Sequence, residues 1–221
     1  TATIDNSNYS STILDNSATI IIPSSKLVSL NDGLYNISFT TTNIIDNTST
    51  TNKSFSVDRT PPVINNIIFS WGNILNINES TNPGTINVST TGLLNNEIVT
   101  ATLNNNTFTG SVLNNNTSIS IPQSRLDELT DGSYNVVINI TDIAGNDASS
   151  NSTFIVDKIA PSIDNISFSW GAELSLTESN NVNGGSIFVS TTNIEDAQII
   201  TASLNNLDYS ANVIANNATI S

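Results

Sequence analysis

The sequence predicts an all-β protein built as a linear array of β-sandwiches. Three observations carry this: a repeat with a period of 99 residues, short alternating apolar segments set between turn residues, and almost no helical pattern. Asp58-Arg59-Thr60-Pro61-Pro62 returns as Asp157-Lys158-Ile159-Ala160-Pro161, Phe69-Ser70-Trp71-Gly72 as Phe168-Ser169-Trp170-Gly171, and Glu79-Ser80 as Glu178-Ser179. A constant period means that one supersecondary unit is copied along the chain. Val88-Ser89-Thr90-Thr91 meets Val189-Ser190-Thr191-Thr192 at 101 instead, because Asn82-Pro83-Gly84 has lengthened to Asn181-Val182-Asn183-Gly184-Gly185. Turns between strands absorb such changes most easily.

The opening residues fit the same unit. Thr1-Ala2-Thr3-Ile4 aligns with Thr100-Ala101-Thr102-Leu103, and Asp32-Gly33-Leu34-Tyr35-Asn36 with Asp131-Gly132-Ser133-Tyr134-Asn135. The expected division is therefore residues 1–57 as the back of one repeat, 58–156 as a complete repeat, and 157–221 as the front of a third. A part-sandwich leaves a sheet edge and half a core open. On this reading the missing strands come from elsewhere, most simply from more of the same polypeptide.

Within the complete repeat the elements follow in order. Ile64–Ser70 is the first expected strand, and Ile86, Val88 and Thr90 then alternate with polar residues. Strands are next expected at Ile98–Leu103, Thr107–Leu113 and Ser118–Ile121. Pro122–Leu129 reads as one helical turn with Leu126 and Leu129 facing inward, and nothing else looks helical. Tyr134, Val136, Ile138 and Ile140 alternate with Asn135, Val137, Asn139 and Thr141, which marks a strand with one buried face. Ser152–Val156 closes the unit. Seven strands in about 100 residues fit an immunoglobulin-like sandwich.

Composition narrows the function. The chain has no Cys, His or Met, so Ser–His and Cys nucleophile pairs and the usual zinc sites are out of reach. No pair of carboxylates stands out from the repeat pattern, and the chain reads as a non-enzyme. Net charge is −14, from 19 acidic and 5 basic residues. Nucleic acid, which requires clustered Lys and Arg, is a poor partner, and an anionic membrane surface would repel the chain. No apolar stretch approaches the roughly 18 residues of a membrane helix, so no membrane insertion is expected in this segment. Cations are the natural counter-species, hard divalent ions with oxygen ligands above all.

These pieces in this order resemble the bacterial immunoglobulin-like repeats that fill the stalks of giant adhesins and biofilm-associated proteins. The resemblance lies in the boundary Val156-Asp157-Lys158-Ile159-Ala160-Pro161, in Trp71-Gly72 followed by Leu75-Asn76 and Glu79, in Asp131-Gly132-Ser133-Tyr134, and in Thr141-Asp142-Ile143-Ala144-Gly145-Asn146. It implies an extracellular or cell-surface extender that holds a binding tip away from the cell and is often stiffened by Ca²⁺ near its junctions.

Asp58 and Asp157 sit at the expected junctions, each followed shortly by proline, which stiffens the connection. The functional reading makes them Ca²⁺ ligands together with Asp142, Asn146 and Asp147, with Glu79 and Glu178 as further candidates. The plain reading is ordinary loop chemistry at strand ends, and no contiguous loop motif decides between the two. In the first repeat the loop becomes Asn43-Ile44-Ile45-Asp46-Asn47-Thr48, so an equivalent site there should be weaker or absent. The recurring aromatics Tyr35, Tyr134, Phe69, Trp71, Phe168 and Trp170 read as core anchors rather than glycan platforms. Sequons of the type Asn-x-Ser/Thr occur about as often as chance gives. No Lys–Asn crosslink is expected, since Lys26 aligns with Arg125, Lys53 with Ser152 and Lys158 with Arg59.

Three functions follow. The leading one is a structural extender whose partners are neighbouring repeats of the same chain. The second is a filament subunit completed by strand exchange between identical chains. The third is a glycan- or receptor-binding module.

Overall fold

A computed structural model describes all residues from Thr1 to Ser221. The first segment contains β1 (Ala2–Ile4), β2 (Ser7–Tyr9), the short helix α1 (Ser24–Ser29), β3 (Gly33–Thr42) and β4 (Thr48–Val57). The middle segment contains β5 (Val63–Phe69), β6 (Ile74–Leu75), α2 (Ile77–Ser80), β7 (Gly84–Thr91), β8 (Ile98–Leu103), β9 (Asn106–Ser111), β10 (Asn116–Ile121), α3 (Gln123–Asp127), β11 (Gly132–Thr141) and β12 (Asp147–Val156). The last holds β13 (Ser162–Phe168), α4 (Leu176–Ser179), β14 (Ile187–Thr192), β15 (Ile199–Leu204), β16 (Leu207–Asn212) and β17 (Asn217–Ile220).

The middle segment forms two sheets, ordered β10-β7-β5 and β6-β12-β11-β8-β9. All pairs within them are antiparallel except β6 with the end of β12. The sequence reading is right for the all-β immunoglobulin-like class, and it located seven of the eight strands. The two-residue β6 went unseen, and β12 begins five residues earlier than expected, at Asp147. Two short helices also correct the expectation of a single helical turn. In α2 the Asn76 side chain accepts from Glu79 N while the Glu79 carboxylate accepts from Asn76 N, and α4 repeats this capping box with Ser175 and Glu178. The signal was present as Asn-x-x-Glu and Ser-x-x-Glu.

The same strand order recurs outside the middle segment. The sheet β2-β1-β3-β4 matches β9-β8-β11-β12, and β13-β14-β17 matches β5-β7-β10, with the hairpin β15-β16 matching β8-β9. Even the irregularities recur: β5 and β13 each shift register against their partner at one point, between Ile64 and Asn66 and between Ile163 and Asn165.

By proximity the chain divides into two compact units that do not follow the repeat. One comprises Thr1–Gly72, Pro83–Pro122 and Tyr134–Phe154; the other comprises Asn73–Asn82, Gln123–Ser133 and Ile155–Ser221. In the first, period-two alternation places Ile86, Val88, Ile119 and Ile121 of one sheet, and Val99, Ala101, Leu103, Val136, Ile138 and Ile140 of the other, inside. Phe154 on β12 joins the sheets. Its ring centre lies 5.2 Å from both Phe69 and Trp71 and 5.9 Å from Tyr134. In the second unit Leu75, Leu126, Leu129 and Val156 are buried, and so are Val189 and Ile220.

The outer segments are more open. Phe69 is 5% exposed and its counterpart Phe168 is 43%; Leu75 is 0% and Leu174 is 58%. Residues 1–57 supply no counterparts of β5 and β7, and residues 157–221 none of β11 and β12.

Tight hairpins explain much of the asparagine. Asn104-Asn105, Asn114-Asn115, Asp5-Asn6 and Asn205-Asn206 all have both central residues at positive φ, between 45° and 63°. This is the two-residue turn whose twist matches the flanking strands, and Asn and Asp tolerate it best after Gly.

Phe154→Ala is expected to destabilise the cooperative unfolding transition by about 3–5 kcal/mol, as measured by urea denaturation. Asn105→Ala is expected to lose roughly 1–2 kcal/mol, because alanine resists the left-handed conformation, whereas Asn105→Gly is expected to be near neutral.

Candidate functional site

The residues that follow each long hairpin form the candidate site. Ladder pairing brings Gly33 opposite Val57, so the next residue outward on each strand is Asp32 and Asp58. Asp32 Oδ1 accepts from Arg59 N at 3.0 Å, and its Oδ2 accepts from the Thr60 hydroxyl at 2.6 Å. Asp58 Oδ1 accepts from Thr60 N at 3.1 Å, a tight local turn. The Arg59 guanidinium reaches back to the end of α1 and donates to Val28 O at 2.9 Å, Leu30 O at 2.8 Å, and Leu27 O.

The second junction repeats the pattern. Lys158 N donates to Asp131 Oδ1 at 2.8 Å, and Ile159 N to Asp157 Oδ1 at 3.1 Å. The Lys158 ammonium donates to Leu126 O at 3.0 Å and Asp127 O at 2.8 Å, at the end of α3. The last carbonyls of a helix have no partner within it, and a cation there also meets the negative end of the helix dipole.

The loop between β11 and β12 closes around Asp142, whose carboxylate is largely buried. Its Oδ1 accepts from Ala144 N at 2.9 Å and Asn146 N at 2.8 Å, and its Oδ2 from Asn146 Nδ2 at 2.9 Å. The Asn146 side chain holds the Asp142 carboxyl below its usual range; burial opposes this, and the backbone N–H groups of Asn146, Ala144 and Gly145 reinforce it. In the first segment Asn43 Oδ1 makes the same two backbone bonds, from Ile45 N at 3.1 Å and Asn47 N at 2.9 Å. One side-chain oxygen is enough to close the loop, which is why Asn and Asp interchange here.

The seven candidate ligands thus separate. Asp58, Asp142 and Asn146 come together, because Asn146 Nδ2 also donates to Asp58 O at 3.2 Å. Asp147 accepts from the Thr141 hydroxyl at 2.6 Å, and Asp157 is used in its own turn. Glu79 and Glu178 cap α2 and α4, and Ser175 holds the Glu178 carboxyl low through its side chain and backbone N–H. No three acidic side chains converge. Calcium takes about six to eight oxygens, and the oxygens gathered at Asp58 and Asp142 already accept from N–H donors. This donor set does not by itself make a calcium cage. Sequence reasoning missed Arg59, Lys158, Asp32 and Asp131. The available signal was that two of only five basic residues share one phase of the repeat.

Two facing antiparallel sheets with this strand order define an immunoglobulin-like sandwich. Residues 75–158 match the family model of the bacterial Ig-like domain. The matched stretch ends on Lys158. No curated protein matches the chain. Among solved structures, the chain is similar to a 1.5-MDa bacterial ice-binding adhesin studied for host cell surface retention, at 20% identity over 99% of this chain and 73% of that one, with a TM-score of 0.48. It is similar to a Ca²⁺-stabilized adhesin with which an Antarctic bacterium reaches out and binds ice, at 20% identity over 99% of this chain and 55% of that one, with a TM-score of 0.43. A single bacterial immunoglobulin-like domain from the M. primoryensis ice-binding adhesin matches at 24% identity over 44% of this chain and 96% of that one, with a TM-score of 0.32.

Because the Asp142 carboxyl sits low when folded, the stability it contributes is complete above the usual carboxylate range. That stability is lost as pH falls through the lowered value. Asp142→Asn should keep the loop closed, as Asn43 does. Its melting temperature is expected to fall less than the parent's when pH drops from neutral to below about 4.

Proposed function

We propose that this chain is part of the stalk of a bacterial adhesin, exposed at the cell surface, in which immunoglobulin-like repeats are strung end to end to give reach. The proposed repeat boundaries are 1–57, 58–156 and 157–221, and the partners of each repeat are its neighbours in the chain. The observation that carries this reading is the return of one complete set of features at a fixed spacing. Sheet order, the register shift in β5 and β13, the capping boxes and the junction hydrogen bonds all recur. Repetition of a whole module selects for length rather than for a single pocket. The charge of −14 keeps neighbouring fibres apart.

The glycan-binding reading has little support: Phe69 and Trp71 are buried against Phe154, and Tyr134 stacks on the same ring. The filament reading is favoured by one observation, the exposure of Phe168 and Leu174, whose counterparts Phe69 and Leu75 in residues 58–156 are buried. Under the stalk reading further repeats cover those residues; under the filament reading another copy does. The calcium part of the stalk reading narrows to Asp58, Asp142 and Asn146, where Ca²⁺ would have to displace the N–H donors that those oxygens now accept from and take water to complete its shell.

Two measurements test this. A variant carrying a second copy of residues 58–156 is expected to gain about 33 Å in maximum dimension by small-angle scattering, the length of a ten-residue strand such as β11. A compact increase instead would remove the stalk reading, and a mass rising with concentration in light scattering would favour the filament. Adding Ca²⁺ in place of chelator is expected to raise the melting temperature, and Asp142→Ala to abolish the rise. No response to Ca²⁺ would remove calcium and leave the stalk.

A further inference from the structure

We propose that the basic residue directly after each junction aspartate is a clasp: the cation that fixes the junction is a side chain of the protein itself. Arg59 and Lys158 make one set of bonds in two places. Each backbone N–H binds the aspartate that precedes the long hairpin, Asp32 or Asp131, at 3.0 and 2.8 Å. Each is preceded by an aspartate whose Oδ1 caps the N–H two residues on. Each cationic head takes the equivalent pair of carbonyls at the end of a short helix, Leu27 and Val28 in one case, Leu126 and Asp127 in the other. The planar guanidinium of Arg59 also reaches a third carbonyl, Leu30 O, which the single nitrogen of Lys158 does not match.

The physical reason lies in what each partner lacks. Helices of five or six residues end with several carbonyls unbonded, and the chain leaving the hairpin has no further strand to pair with. A long cationic side chain satisfies both at once. It ties the departing backbone to a loop 27 to 32 residues earlier in the sequence. Bonds from a charged donor are roughly twice as strong as neutral ones. In a chain with 19 acidic and 5 basic residues, placing two of the five here is a substantial allocation. The consequence for stiffness rests on the stalk reading; the clasp itself does not.

The test is amide hydrogen exchange by NMR on the whole chain. Lys158→Met keeps the apolar stem and removes the charge. The amides of Lys158 and Ile159 are expected to exchange about tenfold faster or more in this variant, while those of Val136, Ile138 and Ile140 in β11 keep their protection. Lys158→Arg is expected to restore the parent rates, since arginine holds this place at the first junction. If Lys158→Met does not fold, Arg59→Met is read in the same way at Arg59 and Thr60. Unchanged exchange at these amides would overturn the clasp. So would a general loss of protection through β11 that Lys158→Arg fails to repair. Neither result bears on the scattering test, so the clasp and the stalk fail separately.

Discussion

Two sheets that share one apolar layer are the constraint from which the rest of this structure follows. Each strand of residues 58–156 has a face that is stable only when covered, and the only cover within the segment is the other sheet. Phe154 stands where the two meet, in contact with Phe69 and Trp71 from one side and Tyr134 from its own. The same pairing of sheets returns before and after it, with β2-β1-β3-β4 repeating β9-β8-β11-β12 and β13-β14-β17 repeating β5-β7-β10. The same reasoning explains the outer segments, where Phe168 and Leu174 sit in the positions of Phe69 and Leu75 without the strands that would enclose them.

The fold was legible because its strongest signals are periodic. Alternation at Val136, Ile138 and Ile140 identifies one strand, and the return of Trp71 as Trp170 identifies the copy. What escaped notice was local chemistry with no period of its own. The β6 strand is two residues long and pairs in parallel with the end of β12, a contact that only tertiary structure creates. The capping boxes of α2 and α4 are readable as Asn-x-x-Glu and Ser-x-x-Glu, and capping engages the Glu79 and Glu178 carboxylates that acidity alone presents as ligands. The Asn-Asn pairs are identified as hairpin turns by their positive φ angles.

The junction shows the same division. Asp58, Asp142 and Asn146 were singled out as oxygen donors, and they do lie together, though an amide nitrogen bridges them. Acidic residues invite the thought of a metal because metals are absent from a sequence and must be inferred. A basic residue that already provides the cation is easier to overlook. The alignment of Arg59 with Lys158 was visible throughout, but only the carbonyls at the ends of α1 and α3 give it meaning.

The register shift shared by β5 and β13 has a further consequence. Both strands lie on the rim of their sheets, where unsatisfied N–H and C=O groups offer a template to any strand that drifts alongside. An extra residue in such a strand bends it and increases its twist, which spoils the straight, regular row that another molecule would need. This small kink hinders copies of the chain that meet side by side from knitting into a continuous sheet.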